Sequence, residues 1–276
     1  MKVLVTGAAG QLGTAIVTRY ADRADVIAAT RATLDLANAS AVHACVERHA
    51  PDVVINCAAY NDVDGAEDAA EQAIRVNALA VAALARAAAA AGAVFVHYST
   101  DFVFDGRASA PYREEDPPAP QSVYGSSKLL GEWLAADCPR HYVLRVESLF
   151  GGSHRRSTID RIIDAIREGR QARVFVDRTV TPSFVTDVAD ATWRLISGAA
   201  PFGLYHCVNS GVTTWFELAR EIADAMHVEP QLVPVKVADV TMKARRPQYA
   251  ALSNAKLARA GIEMPDWQDA VRRYLA

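Results

Sequence analysis

The sequence has few cysteines and no metal-ligand pattern. Cys45, Cys57, Cys138 and Cys207 are scattered over 276 residues without a CxxC pair, so we expect neither a disulfide framework nor a thiolate metal site. The seven histidines also lack the spacing of metal ligands. We therefore predict buried free thiols in a reducing compartment and no metal centre.

An excess of one charge is absent as well. The 29 Lys and Arg residues nearly balance the 32 Asp and Glu residues, and the net charge is −3. This balance provides neither a basic surface for nucleic acid nor a polybasic patch for a membrane. Met1-Lys2 leads directly into an apolar strand rather than a signal peptide, and no apolar run approaches the roughly 20 residues that span a bilayer. We expect a cytoplasmic protein.

What the sequence does contain is an alternation of short apolar strands and helices. Hydrophobic residues make up 51% of the chain, which is enough for a sizeable core. The predicted strands are residues 2–6, 25–29, 52–56, 93–98 and 141–146. Helical segments lie between them, including an Ala-rich helix over about 69–91. This order predicts an α/β fold with a doubly wound parallel sheet of the Rossmann type.

The alternation loosens after about residue 150. The predicted helices there are 155–169, 186–197, 214–226 and one from 266, and the predicted strands are 173–176, 203–208 and 231–235. We divide the chain into a first domain, 1–150, and a smaller C-terminal α/β lobe, 151–276, some segments of which return to the first domain. Residues 104–123 contain four prolines and are expected to form an irregular loop near the functional site.

Three glycines follow the first strand. Gly7, Gly10 and Gly13 stand where a strand turns into a helix. Such glycines permit a tight turn, a close approach of backbone to a pyrophosphate, and close packing of helix on strand. The helix N-terminus then offers free N–H groups to phosphate. In this α/β context the segment predicts a dinucleotide site.

The end of the second strand is expected to distinguish the two nicotinamide dinucleotides. A carboxylate there would favour NAD, but this chain has Thr30-Arg31. Arg31 suits a 2′-phosphate, and so we favour NADP(H) over NAD(H). Asp35 is either a ligand of the adenine amine or a turn residue ahead of the next helix, and both interpretations stay open.

Tyr124 and Lys128 form a YxxxK motif. Residues i and i+4 share one face of a helix, and an ammonium beside a phenol is expected to lower the pKa of the phenol. Such a tyrosine can donate a proton to a developing alkoxide. Thr100, at the end of an earlier strand, provides a hydroxyl for the same oxygen. The small residues around Ala58 and Ala59 leave room for a cofactor.

Together these segments resemble the extended short-chain dehydrogenase/reductases, and within them the dTDP-4-dehydrorhamnose reductase family. The likeness covers nearly the whole chain. The segments that carry it are 7–13, 56–60 with Val63-Asp64 and Ala66-Glu67, 99–106, 124–128 with Gly131-Glu132, Tyr205-His206, Trp215, Arg246-Pro247 and 267–270. The Ser-Thr-Asp…Val-Phe-Asp-Gly segment over 99–106 is the most specific of them.

The resemblance implies reduction of the C4 ketone of a nucleotide-linked deoxysugar with NADPH or NADH, as in deoxysugar biosynthesis. It implies a catalytic set of Thr100, Tyr124 and Lys128, and a C-terminal lobe that closes over the nucleotide sugar. The cofactor contacts that it implies are Gly10, Gln11, Leu12, Asp35, Leu36, Ala59, Tyr60 and Asn61. Thr100 and Asp101 would contact the sugar.

Three departures from the family pattern weaken the choice of sugar. Asn61 stands where the family usually has Thr. Ser148 stands where the family has a Trp that helps to shape the sugar site. The segment 177–182 keeps its Asp and Pro but lacks the usual Gln and Gly. We expect the fold and the hydride chemistry to survive these changes.

Two other functions are consistent with parts of the pattern. One is a nucleotide-sugar epimerase or dehydratase on the same scaffold, although Phe102 follows Asp101 where dehydratases have Glu. The other is a non-catalytic NADP-binding regulatory subunit, which would not need the Thr100, Tyr124 and Lys128 set.

We expect a homodimer.

Four arginines are candidates for the substrate diphosphate. They are Arg155, Arg156, Arg245 and Arg246. Solvated surface charge is the favoured interpretation of the first two. Arg246, within the resemblance, is the preferred diphosphate ligand.

Overall fold

A computed structural model describes all 276 residues. The helices are α1 (Gln11–Tyr20), α2 (Ala39–His49), α3 (Ala70–Ile74), α4 (Ala80–Ala90), α5 (Val123–Ala135), α6 (Thr158–Arg167), α7 (Val185–Ser197), α8 (Trp215–Met226), α9 (Ala255–Arg259) and α10 (Trp267–Leu275). Short 3₁₀ turns occur at Gly65–Glu67, Asp101–Val103 and Val237–Asp239.

The strands include the five predicted in the first half of the chain. They are β1 (Lys2–Thr6), β2 (Asp25–Ala29), β3 (Val53–Asn56), β4 (Val94–Thr100), β5 (His141–Val146), β6 (Leu149–Phe150), β7 (Ala172–Phe175), β8 (Thr179–Val180), β9 (Ser183–Phe184), β10 (Gly203–His206), β11 (Thr213–Thr214) and β12 (Leu232–Val235).

Six strands form one parallel sheet in the order β2-β1-β3-β4-β5-β10. The chain moves outward from β1 in one direction to β2 and in the other to β3, so the strand order reverses between β1 and β3. Ligands of doubly wound sheets bind in the crevice at this reversal, beyond the C-terminal strand ends. The predicted Rossmann fold is confirmed.

Alternate residues of each strand face opposite sides of the sheet. Val3, Ile55 and Leu144 pack into the core on the side of α1 and α7. Leu4 and Phe95 pack on the other side, with α2 and α4. Both faces are therefore buried, which is why these strands read as continuous apolar runs rather than as alternating ones.

The second half of the chain supplies elements both to this sheet and to a group of smaller elements, called the lobe below, that shares one hydrophobic core with the sheet. β10 pairs with β5 in the main sheet, and Tyr20 of α1 donates its hydroxyl proton to the carbonyl oxygen of Ala189 in α7 at 2.7 Å. The lobe contains the small pairs β12-β7, β11-β8 and β6-β9, together with α6, α8 and α10. The division of the chain at residue 150 stays a prediction.

The Ala-rich helix is longer and less regular than an ordinary α-helix. α3 and α4 are joined by a π-helical turn at Arg75–Leu79, which gives a continuous helix over residues 70–90. By length and composition this helix could cross a membrane, which corrects the expectation that no apolar run is long enough. Most of its apolar stretch is buried, against the sheet, α2 and α5. This is the environment of an internal helix.

Candidate active site

A cavity of about 1200 Å³ lies at the C-terminal ends of the central strands. It is bounded by the ends of β1, β2, β4 and β5 and by the segment after β3. The predicted cofactor residues that line it are Gly7, Gly10, Gln11, Leu12, Arg31, Asp35, Leu36, Ala58, Ala59, Asn61, Tyr124 and Lys128. Gly13 and Tyr60, also predicted, are not among the lining residues.

The glycine turn is as tight as the sequence predicts. Gly7 has a φ of 66°, and a Cβ there would lie 2.5 Å from the backbone nitrogen of Ala58. A Cβ at Gly13 would lie 2.2 Å from the carbonyl oxygen of Gly7. Gly13 therefore packs the helix onto the turn and does not face the cavity. Gly10 precedes α1 and offers no side-chain cap, so the first N–H groups of α1 are available to a phosphate.

The two candidates for the adenosine end are both at the cavity wall. Arg31 is exposed and lines the cavity. Asp35 also lines it, and its Oδ1 accepts a hydrogen bond from the backbone N–H of Ala37 at 3.0 Å. The turn role of Asp35 is thus present in the structure.

The segment after β3 is held by a buried asparagine that the sequence analysis missed. Asn77, in the π-helical turn, is fully buried. Its Oδ1 accepts from the N–H of Tyr60 at 2.8 Å, and its Nδ2 donates to the carbonyl oxygen of Tyr60 at 3.0 Å and to Ser127 Oγ at 2.9 Å. One side chain thus connects the cavity wall to α5. A polar residue within an Ala-rich helix was the only signal for it.

α5 begins at a fixed point beside β4. Ser122 caps the helix by accepting from the N–H of Gly125 at 3.1 Å, and Glu67 accepts from the N–H of Val123 at 2.9 Å. A Cβ at Gly125 would lie 2.3 Å from the carbonyl oxygen of Phe102. This close approach places Tyr124, one residue earlier, next to the end of β4.

Tyr124 lies against Thr100 and Phe102. The rings of Tyr124 and Phe102 meet edge to face, with centroids 5.4 Å apart. Burial and the nearby Asp101 carboxyl raise the pKa of Tyr124 to about 12, against a smaller opposing effect of the Thr100 hydroxyl. The expectation that Lys128 lowers the pKa of Tyr124 is therefore wrong for this structure. The physical reason is that the ammonium is directed elsewhere.

Lys128 is almost completely buried and is directed at β4. Its Nζ donates to the carbonyl oxygen of Tyr98 at 2.5 Å and lies 3.4 Å from His97 Nε2. Burial lowers the pKa of Lys128 to about 8, although the negative charge of Glu132 opposes this shift. Lys128 and Tyr124 still line one wall of the cavity, one helical turn apart.

Two buried carboxyls and one buried guanidinium lie next to this wall. Thr100 Oγ1 donates to Asp101 Oδ1 at 3.0 Å, whereas Asp101 Oδ2 is buried without a hydrogen-bond partner. Burial raises the pKa of Asp101 to about 6, against the charge of Arg178. Burial and then Asp101 raise the pKa of Glu147 to about 8. The sequence analysis gave no role to Glu147 or Arg178, because neither belongs to a spaced motif.

The predicted sugar residue Ser148 lies beside this cluster. It has a φ of 45°, which is uncommon for a residue other than glycine. Its Oγ donates to Glu147 Oε1 at 2.6 Å, and the other oxygen of Glu147 accepts from the backbone N–H and the hydroxyl of Thr181. Ser148, Thr100 and Asp101 are not among the residues that line the large cavity.

Arg246 is paired within the protein. Its guanidinium donates to both oxygens of Asp64, at 2.9 and 2.7 Å. The hydrogen bond from Arg246 lowers the pKa of Asp64 to about 2. A diphosphate role for Arg246 stays a prediction. A diphosphate would have to compete with Asp64 for the guanidinium of Arg246. Arg155 pairs with Asp164 at the surface, whereas Arg156 lines the cavity.

No group of three or more His, Cys, Asp or Glu side chains is placed to hold a metal ion. The polar side chains at the α5 wall of the cavity are the phenol of Tyr124 and the amine of Lys128, and backbone N–H groups lie at the start of α1. This set suits proton transfer and the binding of an anionic ligand.

The chain is similar to known proteins over its whole length. The model of the RmlD substrate binding domain matches residues 1–276. A dTDP-4-dehydrorhamnose reductase from Burkholderia thailandensis is 35% identical over 288 residues, which cover 98% of this chain and 97% of the relative. A probable dTDP-4,6-dihydroxy-2-methyloxan-3-one 4-ketoreductase from Streptomyces antibioticus is 36% identical over 279 residues, covering 99% and 94%.

A solved structure is also closely similar. The crystal structure of dTDP-4-dehydrorhamnose reductase from Bacillus anthracis in complex with NADP has a TM-score of 0.95 and 30% sequence identity. The likeness covers 99% of this chain and 98% of that chain.

Proposed function

The chain belongs to the family of the RmlD substrate binding domain, and from this membership we propose that it reduces the C4 ketone of a nucleotide-linked 4-keto-6-deoxysugar. It is an NAD(P)H-dependent oxidoreductase, like the relatives that its whole length matches. The observation that carries the proposal is the meeting of Tyr124 and Lys128 with the glycine turn in one cavity.

The cavity fits NADP(H). Gly10 leaves the start of α1 without a side-chain cap, and a pyrophosphate would bind the free N–H groups there. Arg31 would hold the 2′-phosphate, and the small side chains of Ala58 and Ala59 leave room for the cofactor at the cavity wall. When bound, NADPH supplies a hydride to the carbonyl carbon.

Tyr124 supplies the proton. With a pKa of about 12, its hydroxyl is protonated across the physiological range. A developing alkoxide is a stronger base than a phenolate, so the transfer from Tyr124 to the carbonyl oxygen is favourable. Thr100 would donate a hydrogen bond to the same oxygen. Lys128, whose Nζ is directed at β4 rather than at Tyr124, would hold the nicotinamide ribose.

The sugar would lie between Tyr124 and the Asp101, Glu147 and Arg178 cluster. Asp101 Oδ2 is buried without a partner, and a buried acceptor of this kind is stabilised by a sugar hydroxyl. Ser148, which donates to Glu147, replaces the Trp that helps to shape this region in the family pattern. We infer that this region binds a different sugar from that of the typical reductase, or binds the same sugar in a different way. The first substrate to test is dTDP-4-dehydrorhamnose.

The test is a turnover screen of 4-keto-6-deoxy nucleotide sugars with NADPH and NADH, followed by absorbance at the nicotinamide band. We expect oxidation of NADPH in preference to NADH, and a purified protein that carries little bound cofactor because a reductase exchanges it every turnover. Tightly retained cofactor with no net oxidation would instead favour an epimerase or dehydratase.

We also propose a cytoplasmic location, where both substrates of such a reaction are made.

A further inference from the structure

A chain of buried polar side chains leads from the sheet to Lys128. Asn56 at the end of β3, His97 in β4 and Lys128 in α5 are each at most 3% exposed. Asn56 Nδ2 lies 3.1 Å from His97 Nδ1, and His97 Nε2 lies 3.4 Å from Lys128 Nζ. Neither Asn56 nor His97 lines the cavity, so both act on bound molecules only through other residues.

The orientation of the Asn56 amide is fixed by its neighbours. Its Oδ1 accepts from Thr6 Oγ1 at 2.8 Å and from the backbone N–H of Ala58 at 3.1 Å. Rotating the amide by 180° would place its NH₂ against the N–H of Ala58, and two buried donors would then face each other. A buried donor without an acceptor is strongly unfavourable. Asn56 Nδ2 is therefore the group that faces His97.

This orientation determines the tautomer of His97. Since Asn56 Nδ2 is a donor, His97 Nδ1 must accept, and the proton of the neutral ring is on Nε2. The ring is neutral because burial, and then the charge of Lys128, hold the pKa of His97 well below its ordinary range. The Nε2–H group consequently points at Lys128 Nζ.

An N–H group is an unfavourable neighbour for an ammonium and a favourable one for an amine. The ammonium has no lone pair with which to accept the Nε2–H group, whereas the neutral amine has one. We propose that His97 is a positioning residue that, oriented by Asn56, presents its Nε2–H group to Lys128 and so makes Lys128 release its proton more readily. The consequence for catalysis depends on the proposed function, but the tautomer and its effect on Lys128 do not.

The other titratable groups near Lys128 act in the opposite direction or are neutral. Glu132, on the same helix, favours the ammonium, but both of its oxygens are paired with Arg145 of β5 at 2.8 Å. Burial raises the pKa of the Cys57 thiol far above its ordinary value, so it is uncharged. Tyr124 is protonated as well. The tautomer of His97 is thus the feature that favours the neutral amine of Lys128 over the ammonium.

The first experiment measures the tautomer directly. ¹⁵N spectra of the histidine rings in the cofactor-free wild-type protein assign one of seven signals to His97 by its loss in His97→Gln. We expect a ring protonated on Nε2 with a free Nδ1 lone pair. A ring protonated on Nδ1 would overturn the proposal, whatever the outcome of the activity screen.

The second experiment titrates Lys128 itself. The chain has only five lysines, so the ¹³Cε signal of Lys128 can be assigned with Lys128→Arg and followed with pH. In Asn56→Asp the new carboxylate still accepts from Thr6 and Ala58, but it also accepts from His97, which moves the ring proton to Nδ1. His97 Nε2 then accepts from Lys128. We expect the titration midpoint of Lys128 to rise by about one pH unit, which is a tenfold shift in its ammonium-to-amine ratio. An unchanged or lower midpoint would contradict the proposal.

A matched control is His141→Gln. His141 Nδ1 bonds to the carbonyl oxygen of Cys138 at the far end of β5, so its loss is expected to leave the Lys128 midpoint unchanged. If the reductase activity is established, the alkaline limb of kcat should move upward in Asn56→Asp by the same amount. A merely structural role for Asn56 and His97 would instead lower kcat at every pH without moving the limb.

Discussion

Tyr124 has an environment that keeps it protonated, rather than one that makes it acidic. Burial and the carboxyl of Asp101 both disfavour the phenolate, and Lys128 bonds to the backbone of Tyr98. A sequence motif gives the spacing of two side chains but not the direction in which each points. The YxxxK spacing therefore predicted the shared cavity wall and not the sign of the pKa shift.

Tyr124→Phe should lower kcat by roughly 10²–10⁴-fold, because it removes the proton donor and leaves the rest of the cavity. NADPH binding, followed by fluorescence, should be nearly unchanged. The control is Tyr142→Phe, whose hydroxyl bonds to Ala200 at 2.7 Å outside the cavity. Near-normal turnover in Tyr124→Phe would rule out its proposed role.

Arg31 should determine the preference for NADP(H). Charged hydrogen bonds to a phosphate contribute about 1.5–3 kcal/mol, so Arg31→Ala should weaken NADPH binding by roughly ten- to a hundredfold and leave NADH binding almost unchanged. Arg86→Ala, which removes an exposed arginine paired with Asp137 on the outer surface, is the control. Equal weakening of both cofactors, measured by calorimetry, would contradict this assignment.

At the scale of elements, the start of α5 determines where the proposed catalytic side chains lie. Ser122 and Glu67 satisfy the first N–H groups of this helix. The helix is pressed against the end of β4 at Gly125, where there is no space for a side chain. The position of Tyr124 thus depends on one helix terminus.

Ser122→Ala should lower the free energy of unfolding by about 1 kcal/mol through loss of the cap and should also lower kcat, because the first turn carries Tyr124. Thr214→Ala removes the comparable cap of α8, which lies outside the cavity. It should cost similar stability, measured by urea unfolding, with no change in kcat. Equal effects of the two variants on kcat would show that the start of α5 does not position Tyr124 for turnover.

Most element positions were predictable because their signals are local. The strands 25–29 and 141–146 were predicted at their observed limits, since buried parallel strands are short apolar runs. α6 begins at Thr158 rather than at Arg155 because Ser157 and Asp160 form a capping box. The π-helical turn around Asn77 was not predictable, because Asn77 adopts it to satisfy Tyr60 and Ser127, which are distant in sequence.

At the scale of the whole molecule, the site combines distant segments. Asp101 follows β4, Glu147 follows β5, and Arg178 precedes β8 in the lobe. The sequence analysis identified Asp101 through a motif, but it could not identify its neighbours, because only the tertiary fold brings these three charges together. For the same reason the Asp64–Arg246 pair was not predicted, although both residues lay in quoted segments.

The buried Glu147 should make stability depend on pH. Its pKa is raised from the ordinary 4.5 to about 8 in the folded protein, so the folded state holds a proton that the unfolded state releases. The contribution of protonated Glu147 to the free energy of unfolding is fully present below about pH 4.5. It is lost as the pH rises through 8. Between pH 5 and 8 the wild type should therefore lose stability relative to Glu147→Gln.

Urea unfolding at several pH values measures this difference. Glu263→Gln, at an exposed position, should follow the wild type at every pH. Parallel pH dependence of the wild type and Glu147→Gln would show that Glu147 is ionised in the folded protein.

The central claim, hydride transfer to C4 of a nucleotide-linked 4-keto-6-deoxysugar, is tested most directly with deuterium. The protein is incubated with dTDP-4-dehydrorhamnose, or the best substrate from the screen, and NADPH deuterated at the transferred position, and the product is examined by NMR. We predict one deuterium at C4 of the sugar and none elsewhere. Deuterium at another carbon, or solvent hydrogen at C4 with no net cofactor oxidation, would contradict the proposed function.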